Sequence, residues 1–296
     1  MWAQRREAEV VLASRYLRGG RTELSPPAWL TIHLMNRSLR RTLHLPCHDP
    51  TSGIVLYRTS ALQEIGIDPL DACGRSPLEI LVKLHNRGFK IREVAYHEGA
   101  GRSFTAVLGE TAGLVGALPR LAGMRRSADV ADSEDIAFDT LLPWRRRRLE
   151  QRQRTIVGFL EADVPVLDVG CGSSRLIQSL SKGTGLDRDR RKLRFLRGRA
   201  KAMVAGELPR LPFRDGSFPQ VVCSDVIGSL PPSTPFLPEL RRVLRSRGTL
   251  VLATGRKRSR AESLLREELQ KSGFAVDEVR RLPGRELVIR ALRKDL

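Results

Sequence analysis

The run Val166-Leu167-Asp168-Val169-Gly170-Cys171-Gly172-Ser173-Ser174 constrains this chain more than any other stretch. A short apolar segment ends in an acid and breaks into two glycines one residue apart, and a helical pattern follows through Leu176, Ile177 and Leu180. A strand that passes through a glycine turn into a helix lets backbone N–H groups approach a nucleotide-like ligand. A second short run, Gly183-Thr184-Gly185-Leu186, ends in Asp187, nineteen positions after Asp168. An acid at the tip of a second strand is placed to grip a pair of ribose hydroxyls. A glycine pattern alone is common; the order strand, glycines, helix, strand, acid is not.

From residue 155 onward, strand and helix patterns alternate. Strands are expected to end near Asp168, Asp187, Ala205, Ser224 and Ala253, with helical spacing between them at Leu193 and Leu196, at Leu237, Leu240 and Leu244, and at Leu264, Leu265 and Leu269. Residues 275–279 and 286–292 flank Pro283-Gly284 as an antiparallel hairpin. Five parallel strands, helices on both faces and a closing hairpin predict an α/β fold with a doubly wound, Rossmann-like sheet over residues 155–296.

The first 104 residues read as mixed α and β. Residues 10–14 form a short strand, and Ile32, Met35, Leu39 and Leu43 line one helix face. Leu78, Leu81 and Val82 mark a second helix that Gly88 stops, and residues 89–96 form a strand. Residues 105–154 read as a connector. Its small apolar stretch, 106–121, suits a packed helix or a membrane surface. Residues 129–135 are expected as an acidic loop. The run 145–148, four arginines, opens a basic helix that is either a solvated face or a contact for anionic lipid or phosphate.

The formal net charge is +19, from 52 basic and 33 acidic side chains, which favours anionic partners. Nucleic acid is not expected among them: no helix-turn-helix, zinc-finger or RNA-recognition motif accompanies the charge, and aromatic residues are only 5% of the chain. Cys47, Cys73, Cys171 and Cys223 are scattered, with no C-x-x-C. That spacing predicts neither a disulfide framework nor a metal site, and it suits a reducing compartment. Cys171 and Cys223 read as packed thiols. The N-terminal residues lack a signal-peptide pattern, and no stretch reaches ~18 consecutive apolar residues. The expected location is cytoplasmic, with peripheral contact at the inner membrane face left open.

These residues together resemble the class I S-adenosylmethionine-dependent methyltransferases of the widespread small-domain type, over about residues 155–292. Asp168-Val169-Gly170-Cys171-Gly172 looks like that family's first motif, and Asp187 like its ribose-binding acid. Gly206-Glu207-Leu208, ahead of 211–218, resembles the segment that caps the adenine; segments 239–244, 247–252 and 271–274 resemble the later helix and turns. The resemblance implies S-adenosylmethionine as cofactor, held by Asp168, Gly170, Cys171, Gly172, Asp187, Glu207, Leu208 and Ser224, with Glu207 accepting from the adenine amino group. The bland readings are a brace for the glycine loop at Asp168 and a helix N-cap at Asp187. Methyl transfer from a sulfonium is an in-line displacement in which the protein mainly positions the reactants. Asp225 is the one candidate for acid–base work on the acceptor, against a solvated loop acid. The chain departs from the pattern at Ser174, where a third glycine is usual, at Pro219, at Gly228-Ser229, at Arg247 and in the short basic segment 255–260.

Residues 5–104 resemble part of a family-2 glycosyltransferase, nearest the polyprenyl- (dolichyl-) phosphate mannose synthase group. The likeness rests on 11–20, on Asp49-Pro50-Thr51-Ser52-Gly53 through Arg58, on 78–81 and on 88–94. It implies a partial glycosyltransferase-A-like segment, followed by a connector (127–129 through 137–139) like that of members with a methyltransferase domain behind the transferase. No metal-binding Asp-x-Asp of the family's kind occurs in residues 1–104, and Glu98 stands where the family's phosphate clamp has arginine. Arg15 and Arg58 remain candidates for a lipid phosphate. Three functions stay open: methyl transfer from S-adenosylmethionine to an unidentified small-molecule acceptor such as a glycan or lipid-linked sugar; a truncated or split polyprenyl-phosphate glycosyltransferase, with an accessory methyltransferase domain and a companion chain supplying the nucleotide-sugar half; and a non-catalytic module that keeps the cofactor fold.

Overall fold

The computed structural model describes residues 1–71, 76–99, 103–126, 130–230, 235–254 and 262–295, with the side chain of Ser229 excepted. The sequence expectations for Cys73, 127–129, residues 100–102 of the Glu98–Ser103 segment and the basic stretch 255–260 lie outside the described residues. The chain divides into two compact units, Met1–Ser133 and Glu134–Leu296. The expected connector therefore contributes helices to both units.

The first unit opens with a short 3-10 turn at Trp2–Arg6, then runs β1 (Val10–Ser14), β2 (Arg21–Thr22), α1 (Pro26–Leu43), β3 (Val55–Tyr57), α2 (Thr59–Glu64), α3 (Pro77–Asn86), β4 (Ile91–Ala95), β5 (His97–Glu98) and α4 (Phe104–Arg125). β1 is buried along its whole length and forms the centre of a sheet ordered β3-β1-β4, antiparallel to β3 and parallel to β4. α1 buries Ile32, Leu39 and Leu43, the face its sequence spacing predicts. Proline at the first helical positions of α1 and α3 gives up an N–H that has no partner inside the helix in any case. The predicted stop at Gly88 is a residue in left-handed conformation (φ 76°), which costs glycine little. The apolar stretch 106–121 is one continuous helix despite Pro119, and it buries Val107, Thr111 and Leu121.

The second unit begins with α5 (Ser133–Thr140) and α6 (Pro143–Gly158). The acidic segment expected as a loop through residue 135 is thus helical from Ser133, where Glu134 and Asp135 in the first turn suit the positive end of a helix. There follow β6 (Val166–Val169), α7 (Arg175–Ser179), β7 (Gly183–Asp187), α8 (Arg190–Phe195), β8 (Ala202–Ala205), β9 (Phe218–Ser224), α9 (Phe236–Val243), β10 (Leu244–Thr254), α10 (Glu262–Lys271), β11 (Phe274–Leu282) and β12 (Glu286–Arg293). The sheet order is β11-β12-β10-β9-β6-β7-β8. Among the described residues β12 is the one strand of this sheet that runs against the rest; it inserts between β10 and β11.

The core follows from the sequence periods. β6 is buried at all four positions, as a strand covered on both faces requires. Phe236, Leu237, Leu240 and Val243 recur at helical spacing on α9, and Leu265 and Leu269 on α10. They pack against Leu167, Val169, Val221, Leu250 and Leu252 of the central strands. Each fully buried leucine contributes roughly 1.5–3 kcal/mol relative to exposure. Pro219, flagged as a departure, lies where the β9–β10 ladder shifts register between Leu244 and Thr249, so its missing N–H falls at an irregularity rather than in a regular ladder.

Candidate functional site

β6, the first strand of the second sheet, has β7 on one side and β9 on the other, so strand order reverses beside it. In an open α/β sheet the crevice at the carboxyl ends of the strands beside such a reversal is where ligands bind. Here the chain leaves β6 through Gly170 (φ 73°) and Gly172 (φ 56°), both left-handed. A Cβ at Gly170 would stand 2.2 Å from Val226 Cγ2, so glycine is required there for space as well as conformation. A cavity of about 260 Å³ opens over this loop, lined by Asp168, Gly170, Cys171 and Gly172 from below and by Glu134, Phe138, Arg152, Arg175, Ser224 and Asp225 around it.

Asp168 is 1% exposed. Burial, reinforced by the charge of Asp187, pushes its carboxyl up to about 7. Its Oδ2 has no hydrogen-bond partner. Asp187 braces the loop instead: its Oδ2 accepts from the Gly172 N–H at 2.8 Å, and its Oδ1 from the Asp189 N–H at 2.8 Å. Each of these oxygens retains a further lone pair toward a ligand. Helix capping next to this site falls to Asp189, whose Oδ1 accepts from the Arg191 N–H. Cys171 and Cys223 are buried thiols held well above the ordinary range by desolvation, with Asp168 adding to it.

Glu207 and Leu208 follow β8, whose last residue, Ala205, pairs with Asp187. Leu208 is buried, Glu207 is exposed, and neither lines the cavity. The Gly206 N–H donates to the Asp187 carbonyl at 3.1 Å, which ties this turn to the same sheet edge. The structure therefore gathers Asp168, Gly170, Cys171, Gly172, Ser224 and Asp225 at one cavity, joins Asp187 to it through Gly172, and sets Glu207 and Leu208 one strand further out.

Three contributors escaped the sequence reading. Arg152, from the helix expected to be solvated or lipid-facing, is 5% exposed and donates through Nη2 to Ser224 Oγ at 2.7 Å and to Asp225 Oδ2 at 2.6 Å. Asp225 itself sits at φ 61°, an uncommon conformation for a side chain-bearing residue. Glu134 accepts from the hydroxyl and N–H of Ser173 and from Lys192 Nζ, and although burial opposes ionisation these donors hold its carboxyl below the usual range. Arg175 stacks on the Phe138 ring at 4.1 Å and pairs with Asp135 at 2.7 Å and Asp139 at 2.8 Å, so α5 is fastened over the start of α7. The spacing of Arg148, Arg152 and Ile156 was the available sign that α6 turns one basic position inward.

The first unit holds a separate cavity of about 650 Å³ that Arg15 and Glu98 line. All three guanidinium nitrogens of Arg15 are engaged: Nε with Asp49 at 2.7 Å, Nη2 with Asp49 at 2.6 Å and Thr51 at 3.0 Å, and Nη1 with Glu98 at 3.2 Å. The guanidinium is thus taken up by the protein's own carboxylates and hydroxyl, and a phosphate would have to displace them to reach it. Arg58 lines a different cavity and pairs with Glu9 at 3.4 Å. The structure does not bring Arg15 and Arg58 together as a phosphate site.

Comparison with known proteins bears on the second unit. Residues 167–252, from β6 into β10, match the family model described as a methyltransferase domain. No curated protein sequence matches the chain. Among solved structures, a chain from a complex containing the Haloferax volcanii Trm112 methyltransferase activator is 16% identical, covering 56% of this chain and 95% of its own, with a TM-score of 0.49. A SAM-dependent methyltransferase from Aquifex aeolicus is 20% identical, covering 47% and 88%, with a TM-score of 0.41. A TehB-like SAM-dependent methyltransferase from Corynebacterium glutamicum is 22% identical, covering 51% and 95%, with a TM-score of 0.42. The cofactor of such a domain is S-adenosylmethionine, and the residues present are compatible with it: two glycines that admit close approach, an acid at the tip of β7 tied to their loop, and a buried carboxylate oxygen without a hydrogen-bond partner. Residues 167–252 thus match a methyltransferase domain model and lie in a Rossmann-like α/β sheet.

Proposed function

We propose that the chain transfers a methyl group from S-adenosylmethionine to a small-molecule acceptor at the cavity over Gly170–Ser174. The observation that carries this reading is Asp187, which at the tip of β7 both braces Gly172 and keeps lone pairs for two ribose hydroxyls. The cofactor supplies an activated methyl group; no residue of the chain is needed as a nucleophile. The glycine loop lets backbone approach the cofactor. Asp168 offers an acceptor out of water, and Glu207 stands on the adenine side of the same sheet edge. Asp225, more than half exposed and anchored by Arg152, is the carboxylate nearest the role of acceptor-side base.

The acceptor class follows from the resemblance of residues 5–104 to glycosyltransferases: a glycan or lipid-linked sugar, with the first unit presenting or docking it. The pairing of Arg15 with Asp49 and Glu98 weighs against an active phosphate-binding glycosyltransferase site in that unit. Among the described residues no helix is long and apolar enough to cross a membrane; a peripheral role at an anionic surface rests on the net charge of +19.

Calorimetric titration with S-adenosylhomocysteine tests the reading. Binding by the parent chain, weakened in Asp187→Ala by about 2–4 kcal/mol for two lost charge-assisted hydrogen bonds, is the expected outcome. Unchanged affinity in that variant overturns the site assignment. A parent chain that binds nothing overturns the methyl-transfer reading and leaves a scaffold, to be tested beside a companion glycosyltransferase chain.

A further inference from the structure

α4 is a surface helix without a charged outer face. From Thr111 to Pro119 it carries no charged side chain. It buries Val107, Thr111 and Leu121 in the first unit, yet Phe104, Leu108 and Val115 are left between 39% and 56% exposed. Their spacing, i, i+4 and i+11, puts them along one side of the helix. Gly109, Gly116 and Gly123 recur every seventh residue on its open side, where a Cβ would meet no neighbouring atom. Nothing packed inside the unit requires those glycines, and each costs helix stability relative to alanine, as does Pro119. A helix that is apolar on its buried side and again on its open side is one that a second apolar phase covers.

α1 lies beside α4 and runs the same way. Ile32 and Val107 share an apolar cluster, and Arg125 at the end of α4 donates to the carbonyl of Leu43 at the end of α1. The outward row of α1 is Leu30, Leu34, Arg37 and Arg41, all exposed at i, i+4, i+7 and i+11. That row is apolar in its first half and basic in its second. α1 contains no acid, and Arg37, Arg40 and Arg41 pair with no carboxylate among the described residues. Neighbouring apolar rows with unanswered arginines at one end complement a surface that is apolar inside and anionic at its rim. A nucleic acid would answer the arginines and leave the leucines in water.

Deepening the peripheral reading above, which drew on net charge alone, we propose that the outer rows of α1 and α4 dock on a membrane surface that carries anionic lipid. Leu30, Leu34, Leu108 and Val115 enter the boundary between headgroups and acyl chains, while Arg37, Arg40 and Arg41 stay at the level of the phosphates. Both helices lie in the plane of the surface, and neither is apolar enough to cross it. The glycines leave no polar side chain on the open side of α4 to be desolvated as the helix settles into the interface. Docking of this kind needs neither the cofactor nor the glycine loop after β6.

The test is flotation of the full chain with phosphatidylcholine vesicles made with and without phosphatidylglycerol. The parent is expected to bind the anionic vesicles at least about tenfold more strongly than the neutral ones, and to release them as salt rises. Leu34→Glu with Leu108→Glu should weaken anionic-vesicle binding by about tenfold or more. Arg37→Gln with Arg41→Gln should weaken it by about 10- to 30-fold. All four positions are exposed, and circular dichroism with the urea midpoint reports whether a variant is folded. Should the glutamate variant unfold, Leu34→Ser with Leu108→Ser is measured in its place. S-adenosylhomocysteine binding is expected to stay unchanged throughout, which separates this surface from the cofactor reading. Binding within about threefold of the parent in either folded variant overturns the α1–α4 face and leaves the peripheral reading to charge elsewhere on the chain. A parent that floats with neither vesicle overturns both. A parent that is dimeric without lipid, and that the leucine substitutions render monomeric, assigns the face to a second copy of the chain and overturns the membrane.

Discussion

At the scale of single residues, the site stores two tensions that experiments can read. The first is electrostatic. Asp168 keeps its proton up to about 7 in the folded chain because burial, and then the Asp187 charge, disfavour the carboxylate; its ordinary value is 3.8. The folded state thus holds a proton that the unfolded chain releases, and stability contributed by this group is fully present below about pH 4 and lost as pH rises toward 7. Over that window the loss is on the order of 4 kcal/mol. Asp168→Asn removes the titration, so its urea midpoint should fall less than the parent's between pH 4 and 7; parallel curves would show an ordinary carboxyl. The second tension is steric. Gly170→Ala adds a Cβ 2.2 Å from Val226 Cγ2 at φ 73°. A cost of at least about 1–3 kcal/mol is expected from the left-handed backbone and the clash together. Adding Val226→Ala should recover the steric part only, which a double-mutant cycle by urea denaturation separates.

At the scale of elements, local pattern and long-range pairing divide what could be read in advance. β6, β7, β9 and the hairpin of β11 and β12 were legible because alternation and apolar runs report burial directly, and Asp187 was legible because its distance from Asp168 fixes it at a strand tip. The start of α5 was not: Glu134 and Asp135 read as loop acids, and their partners Ser173, Lys192 and Arg175 lie about 40 or more residues away in the chain. Arg152 was hidden for the same reason, as one arginine among several until the fold turns it toward Ser224. The end of α4 shows how much such a pairing can hold. Arg125, buried, donates to Asp132 at 3.0 and 2.7 Å, to Asn86 at 2.6 Å and to the Leu43 carbonyl at 2.8 Å, so it ties α4 to the ends of α1 and α3. Burial works against the Asp132 carboxylate, but His85 and Arg125 outweigh it and hold the group well below the usual range. Its contribution is therefore present above about pH 4 and lost in acid, the opposite sign to Asp168. Asp132→Asn leaves the Arg125 charge buried without its counter-ion and should destabilise the first unit by about 3–5 kcal/mol near neutral pH, read from the urea midpoint. A change below 1 kcal/mol would mean that Arg125 finds its compensation in Asn86 and the carbonyl alone.

At the scale of the whole molecule, the division into Met1–Ser133 and Glu134–Leu296 has a thermodynamic consequence. Each unit owns a hydrophobic core: Leu12, Leu39, Leu43 and Leu81 belong to one, Leu167, Val221, Leu250 and Ile289 to the other. Asp168 and Asp187, proposed to hold the cofactor, lie in the second unit, whereas the Arg125–Asp132 pair lies in the first. A ligand stabilises the species it binds by mass action and leaves an independent unit untouched. Scanning calorimetry should therefore resolve two transitions rather than one. Saturating S-adenosylhomocysteine should raise the midpoint of only one of them, and at 100 times its dissociation constant the gain is about 2.7 kcal/mol. Asp132→Asn should lower the other midpoint and leave the ligand-sensitive one in place. These two perturbations assign each transition to its unit without cutting the chain. A single transition displaced as a whole by both would instead mean that the two cores unfold as one cooperative body, and that the cofactor site draws on the stability of residues with which it shares no side chain.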